Sequence, residues 1–388
     1  MRRPAPQRDA ISSQMDAHSK CKPERTPAMK KHNTERREQK GRGRKTIGLD
    51  LGDRTSRYCV VDEQGEVILE GSVATTESAL RSWVEEMGPC VVAMEVGTHS
   101  PWVSRLLKES GQQVIVANAR RVRLIIESSR KNDRLDARTL ARLARMDAAL
   151  LAPIRHRSAQ AQQHLIMIRA RAALVETRTK LVNTVRGMVK ATGKRLRKCS
   201  ARSMGPAAAR QIDDALAQVI KPLLASIESI SGQIQQYDRQ IVEVAKQYPE
   251  VARLDQVWGV GTLIALTYVL TIEDPGRFER SRDVGCYLGL RPRQRQSGAR
   301  SPELGISKEG DRYLRTLLVQ AAHYILGPFG PDTDLRRWGL RLAGHGGKNA
   351  KKRAVVAVAR KLAILLHRLW VSGERYQPLR DAEIATAA

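Results

Sequence analysis

The sequence predicts an α/β domain with a mixed sheet, followed by a long helical hairpin of coiled-coil type and an all-α domain. Three observations carry that prediction. Short β-rich runs alternate with helical stretches between residues 45 and 117, apolar residues recur at steps of three and four between 158 and 248, and the pattern beyond 250 is mostly helical. The 388 residues allow two or three domains, and 41% hydrophobic residues supply real cores. Wholesale disorder is excluded, and the 4% aromatic content means that the cores rest on Leu, Val, Ile and Ala.

Residues 1–45 hold fourteen Lys/Arg, five Asp/Glu and four Pro, a composition that cannot bury enough surface to order itself; a disordered basic arm is expected. It reads equally as a solvated tail or as a nucleic-acid contact. In the first domain, residues 46–157, strands are predicted at 46–51, 58–62 and 67–73, the last two joined by the turn Glu63-Gln64-Gly65, in an antiparallel meander. A helix at 77–87, a strand at 90–94, a helix at 102–110 and a strand at 113–117 follow. The resulting βββαβαβα order implies a partly parallel sheet.

The hairpin, residues 158–249, shows two seams: Leu165, Ile168, Ala172, Val175, Thr179, Val182 and Val189, then Leu223, Ile227, Ile230, Ile234, Tyr237, Ile241, Val244 and Tyr248. A Gly/Ser/Pro-containing break at 193–206 separates them. Such a strip serves as a dimer seam or an intramolecular packing surface. The compact helical domain spans 250–375, and 376–388 form a tail.

The 68 Lys+Arg against 40 Asp+Glu give a net charge of +28, an excess that calls for a polyanionic partner. The cysteines Cys21, Cys59, Cys90, Cys199 and Cys286 are odd in number and include no CxxC, so neither a disulfide framework nor a zinc ribbon is indicated, and a reducing cytoplasm fits. The most apolar stretch, residues 263–270, is far shorter than the ~20 residues of a membrane span, and no secretory signal is evident. A soluble cytoplasmic protein with no membrane partner is expected.

Acids stand where apolar strands end. Asp50 closes Ile47-Gly48-Leu49-Asp50 and Glu95 closes Val91-Val92-Ala93-Met94-Glu95; a carboxylate in such surroundings is costly to ionise unless paired or metal-bound. If the two strands are neighbours, both acids emerge at one position of the sheet. Asp133 and Asp136 lie at i and i+3 on one face of a following helix. Four converging carboxylates would repel one another, and Mg²⁺ or Mn²⁺ relieves this; two-metal chemistry on a phosphodiester uses such a cluster. Flanking Arg130, Lys131 and Arg134 would hold the polyanion. Taken alone, Asp133 and Asp136 also read as helix-cap or surface acids.

In the all-α domain, Gly259 and Gly261 have helix-hairpin-helix spacing, which exposes backbone amides to phosphate; a plain helical packing turn reads equally well. Ser297 precedes a glycine in a loop carrying Arg291, Arg293, Arg295 and Arg300, whose guanidinium groups suit a phosphate undergoing attack, although by composition Ser297 is a turn residue. Lys308 follows. Residues 335–373 carry ten Lys/Arg, among them Lys348, Lys351, Lys352 and Arg353, and no acid, and so form a phosphate-binding candidate.

The succession GLDLG, AMEVG, KNDRLDA, WGVG, YLGLRPRQRQSG and GISKEGDRYLRTLLVQAA resembles the IS110-type transposases over roughly residues 45–370. That resemblance implies a RuvC/RNase H-like first domain whose DEDD tetrad falls on Asp50, Glu95, Asp133 and Asp136, and a transposase domain whose catalytic serine falls on Ser297. It further implies donor and target DNA, a structured bridge RNA as guide, and a homodimer or homotetramer whose active site combines domains of different protomers. The basic arm extends beyond the family core, and Asp311 stands where an asparagine is expected.

The leading expectation is therefore a DNA recombinase that forms a transient phosphoserine bond at Ser297 with Mg²⁺ held by the acids. One alternative is a metal-dependent junction nuclease. Another is an actin-like ATPase, suggested by the first strand with Thr55 and Ser56 but lacking a second ATPase half. A non-enzymatic scaffold explains the charge but not the acids on apolar strands.

Overall fold

The β-rich runs assemble into one five-stranded sheet of order β3-β2-β1-β4-β5 in the computed structural model, which describes residues 45–119, 133–201, 203–294 and 303–380. Strands β1 (Lys45–Asp50), β2 (Thr55–Val61) and β3 (Val67–Ala74) form the expected antiparallel meander. Strands β4 (Cys90–Glu95) and β5 (Gln113–Ala117) add in parallel, with Leu49 registered on Met94 and Glu95 on Ala117. The parallel crossovers contain α1 (Glu77–Met87), capped by Thr76, and α2 (Ser100–Glu109).

Both faces of the sheet are covered, as a parallel arrangement requires. Ile47, Leu49, Val92, Met94 and Val116 pack with Leu80, Val84, Val103 and Leu107 of α1 and α2. On the opposite face, Ala93, Ile115 and Ala117 meet Leu140 and Leu143 of α3 (Asp133–Met146), and Cys59 and Val61 meet Ala137 and Ala141. Gly48 is what lets α3 approach. A Cβ there would lie 1.9 Å from the Ala137 carbonyl oxygen and 2.5 Å from the Ala141 nitrogen, so backbone meets backbone with no room for a side chain.

Two element starts in the first unit differ from the sequence reading by more than one residue. β2 starts three residues earlier, at Thr55, because ladder pairing continues through Thr55, Ser56 and Arg57, a polar run with no apolar alternation. The buried Ser56 hydroxyl is satisfied by Thr75 Oγ1 at 2.8 Å. Helix α2 starts two residues earlier, with Pro101 in its first turn, where a missing N–H is harmless.

The chain divides into two units between His156 and Arg157. In the second, α4 (Ala159–Ala191) and α6 (Asp214–Ala245) pack along each other, with the short α5 (Met204–Ala209) between them in sequence. Ile220, Ile227, Ile234 and Ile241 recur every seventh residue and are all buried. On α4 the buried residues gather towards the two ends, at Leu165 and Ile168 and at Val185 and Val189, whereas Ala172, Val175 and Val182 are only half-buried.

The remaining helices are α7 (Pro249–Leu254), α8 (Thr262–Ile272), α9 (Asp283–Tyr287), α10 (Arg312–Leu326), α11 (Asp334–Gly344) and α12 (Ala350–Ser372). A two-stranded pair, β6 (Pro292–Gln294) and β7 (Glu303–Ile306), precedes α10. Helix α8 is the centre, buried at every residue from Ala265 to Ile272, and its Tyr268 hydroxyl donates to the Ala363 carbonyl of α12 at 2.7 Å. Leu165, Ile168 and Ile241 join the same core, so the hairpin is rooted in it. Among the described residues no helix is long and apolar enough to cross a membrane.

Candidate active site and nucleic-acid interface

Parallel pairing of β1 with β4 decides where the first two acids go. One register step beyond Leu49 and Met94, Asp50 and Glu95 leave the sheet side by side, and both line a cavity of about 320 Å³ together with Asp53 and His99. His99 Nδ1 accepts from Trp102 Nε1–H at 3.1 Å, which leaves Nε2 as the donor towards Asp53 Oδ1 at 3.2 Å. The sequence reading missed Asp53 and His99. Their signal was their spacing, three residues after Asp50 and four after Glu95.

Helix α3 carries the other two acids. It crosses β1 at Gly48 through Ala137 and Ala141, while Ala144 joins the cluster containing Val91, which pairs with Thr46 near the start of β1. The helix therefore runs counter to β1 with its first turn directed to the strand ends that carry Asp50 and Glu95. Arg138 secures that start by donating to Glu70 Oε1 on β3 from Nη2 at 2.7 Å and Nε at 3.0 Å. Burial, with the Glu70 carboxylate nearby, pushes the Cys59 thiol up, so this cysteine is an inert part of the packing.

Asp136 is half-buried on α3 and is not among the residues lining the cavity. Asp133 opens the helix backbone, and its side chain lies outside the described residues, as do the side chain of Arg134 and the whole of Arg130 and Lys131. Among the described residues, no three His, Cys, Asp or Glu side chains are grouped to hold a metal ion. Two of the four expected carboxylates are thus brought together in one cavity. They are hard oxygen donors of the kind that Mg²⁺ or Mn²⁺ takes.

Ser297, Arg295 and Arg300 lie in 295–302, outside the described residues; Gln294 and Glu303, which flank that segment, face each other across β6 and β7. Arg291, Arg293 and Lys308 are exposed around this strand pair. Gly259 has φ +83°, and a Cβ on it would meet Ile325 Cγ1 at 3.1 Å and the Ala321 oxygen at 3.3 Å; close packing on α10 accounts for this glycine by itself. Gly261 is the N-cap of α8 with open space around its Cα. Lys348, Lys351, Lys352 and Arg353 are all exposed at the start of α12, whose first turn holds no acid. Cations at the positive end of a helix repel its dipole, and a bound anion would relieve that repulsion.

Two family models match the chain. Residues 47–193 match the DEDD transposase model of IS110, and residues 251–333 match the transposase model of the IS116/IS110/IS902 family, together more than half of the chain. The chain belongs to the IS110 family of transposases. It is 28% identical over 340 residues to the transposase for insertion sequence element IS1111A of Coxiella burnetii, covering 86% of this chain and 91% of that one. A probable family 20 transposase of Pseudomonas aeruginosa is equally similar, at 28% over 340 residues and 98% of its length. The pilin gene-inverting protein of Moraxella bovis is 28% identical over 144 residues, 35% of this chain and 43% of that protein.

For this IS110-family transposase the mixed sheet with its flanking helices is consistent with an RNase H-like first domain. The actin-like ATPase alternative is set aside, since the chain continues from that sheet into the α4–α6 hairpin. Asp311, the departure from the expected asparagine, caps α10 by accepting from Leu314 N at 2.8 Å and also pairs with Arg169 of α4. Asp and Asn are equivalent caps, so the substitution keeps the helix start and adds an ion pair.

Proposed function

We propose that this transposase is a DNA recombinase that cleaves and rejoins strands through a phosphoserine bond at Ser297, aided by a divalent cation at Asp50, Glu95, Asp133 and Asp136. The observation that carries the reading is the delivery of Asp50 and Glu95 to neighbouring strand ends in one cavity, in a chain that matches a DEDD transposase model. The bound cation would supply Lewis-acid stabilisation of phosphate oxygens. The serine is the nucleophile: the Oγ–P bond forms as the bond from phosphorus to the sugar oxygen breaks, the hydroxyl proton leaves to a nearby base, and the departing sugar oxygen is protonated. The bond energy is kept in the phosphoserine, so a second sugar hydroxyl can displace Ser297 and reseal the strand without ATP. The cations around β6 and β7 and at the start of α12 hold the DNA backbone, and the same charge suits a structured guide RNA. A homodimer or homotetramer would let one protomer's acids meet another's serine.

Labelled DNA carrying the element's ends, incubated with the purified protein and Mg²⁺, is expected to stay attached to protein on a denaturing gel. Ser297→Ala should abolish the adduct and the cleavage together. Cleavage without an adduct in the wild-type protein would mean that water, activated at the acids, is the nucleophile, as in a junction nuclease. Sequencing the RNA that copurifies tests the guide.

A further inference from the structure

The second unit contains a larger cavity, of about 700 Å³, which the chemistry proposed above leaves unused. Its apolar wall is formed by Leu290, Trp338, Val356 and Ile364, and Pro292, Leu304 and Ile306 close it from the β6–β7 side. Its charged lining is Lys308, Lys352, Arg353, Arg360 and Lys361, with no acid among the described lining residues. Lys361 Nζ stands 4.6 Å from the centre of the Trp338 ring. The stem of Arg360 packs on α9, where a Cβ on Gly285 would meet its Cγ at 3.0 Å, and its buried Nε has no hydrogen-bond partner among the described residues. A buried guanidinium N–H without an acceptor is costly, and a ligand oxygen or ring nitrogen would satisfy it.

These features select the occupant. An apolar slot with an aromatic wall takes a flat ring, and a lining that is cationic throughout takes the negative charge attached to it. The slot also lies against the strand pair whose connecting segment carries Ser297. We infer that the cavity receives one unstacked nucleotide of the bound DNA strand, its base against Trp338 and Ile364 and its flanking phosphates on Lys308, Lys352 and Arg353. This rests on the reading that the chain acts on DNA, and names a pocket for that substrate. Holding a base out of the stack fixes the backbone beside it, which is the strand that a serine on the β6–β7 connection would attack.

A single-stranded DNA oligomer carrying 5-iododeoxyuridine, irradiated with the full-length protein, is the direct test. The crosslink is expected on the peptide containing Trp338. Ala357 on α12 also lines the cavity, and Ala357→Trp, which fills the slot, should remove that crosslink and weaken single-strand binding at least tenfold, while binding of a fully paired duplex of equal length changes less than threefold. Arg360→Met keeps the stem on Gly285 and is the second variant should Ala357→Trp lower the thermal midpoint; it should weaken single-strand binding several-fold. Crosslinks confined to other peptides, or single-strand binding unchanged in both variants, would overturn the inference. So would a change in sedimenting mass alone, which would make the slot a contact between copies. A wild-type protein that crosslinks at Trp338 but fails to recombine a marked element refutes the recombinase reading and leaves the pocket standing; recombination with no crosslink there does the reverse.

Discussion

The acidic end of the first unit and the basic surface of the second are positioned by opposite means. Asp50 and Glu95 occupy the ends of two neighbouring buried strands, so ladder pairing and a core on both faces fix them. Lys348, Lys351, Lys352 and Arg353 stand exposed at a helix start, on side chains with many rotamers. The difference matches the work proposed for each. Cation binding tolerates errors of a few tenths of an ångström and no more, whereas a polyanion is held by summed charge at distances that vary. Precision is built from backbone, and capture from numbers.

The contrast predicts effects of graded size. Asp50→Asn should lower strand cleavage about 10²–10³-fold while leaving the thermal midpoint in place, the behaviour of a group that serves the transition state rather than the fold. A mutant that cleaves normally would show that the strand end is ordinary structure. Gly48→Val should unfold the first unit or cost about 3 kcal/mol, because the added atoms strike the α3 backbone, which has no flexible side chain to move aside. Urea denaturation monitored at Trp83 and Trp102 measures it, and an effect below about 1 kcal/mol would mean that α3 is free to shift.

On the basic side, Lys352→Glu combined with Arg353→Glu should weaken duplex binding at all sequences and flatten the dependence of log affinity on log salt by about two. An unchanged slope would remove these residues from the backbone contact. The smallest effect belongs to Asp311→Asn, which retains the α10 cap and loses only the pairing with Arg169; a stability change within about 1 kcal/mol is expected in thermal unfolding.

The sequence made the first unit legible because apolar runs and turn residues mark each strand locally. The helix at Glu77–Met87 and the strand at Gln113–Ala117 have the predicted bounds, and the acids at the ends of β1 and β4 stand out against their apolar neighbours. Thr55, Ser56 and Arg57 were passed over because a strand made of polar residues has no hydrophobic period; its pairing is visible only in three dimensions. Asp53 and His99 went unread for a related reason, since their spacing from Asp50 and Glu95 is only a faint signal and the contact that joins them spans forty-six residues of sequence. The same holds for the Trp338 slot, assembled from four separate stretches of chain. Heptad spacing disclosed the hairpin but not that burial on α4 would concentrate towards its ends.

Neighbouring strands in a sheet lie about 4.8 Å apart, a spacing set by the hydrogen bond and not by any side chain. Because Asp50 and Glu95 follow residues registered on each other, the gap between them is inherited from that spacing. Drift elsewhere in the core can tilt or slide the sheet without prising this pair apart. Such an arrangement lets the sequence around the pair change while the spacing between its two carboxylates stays constant.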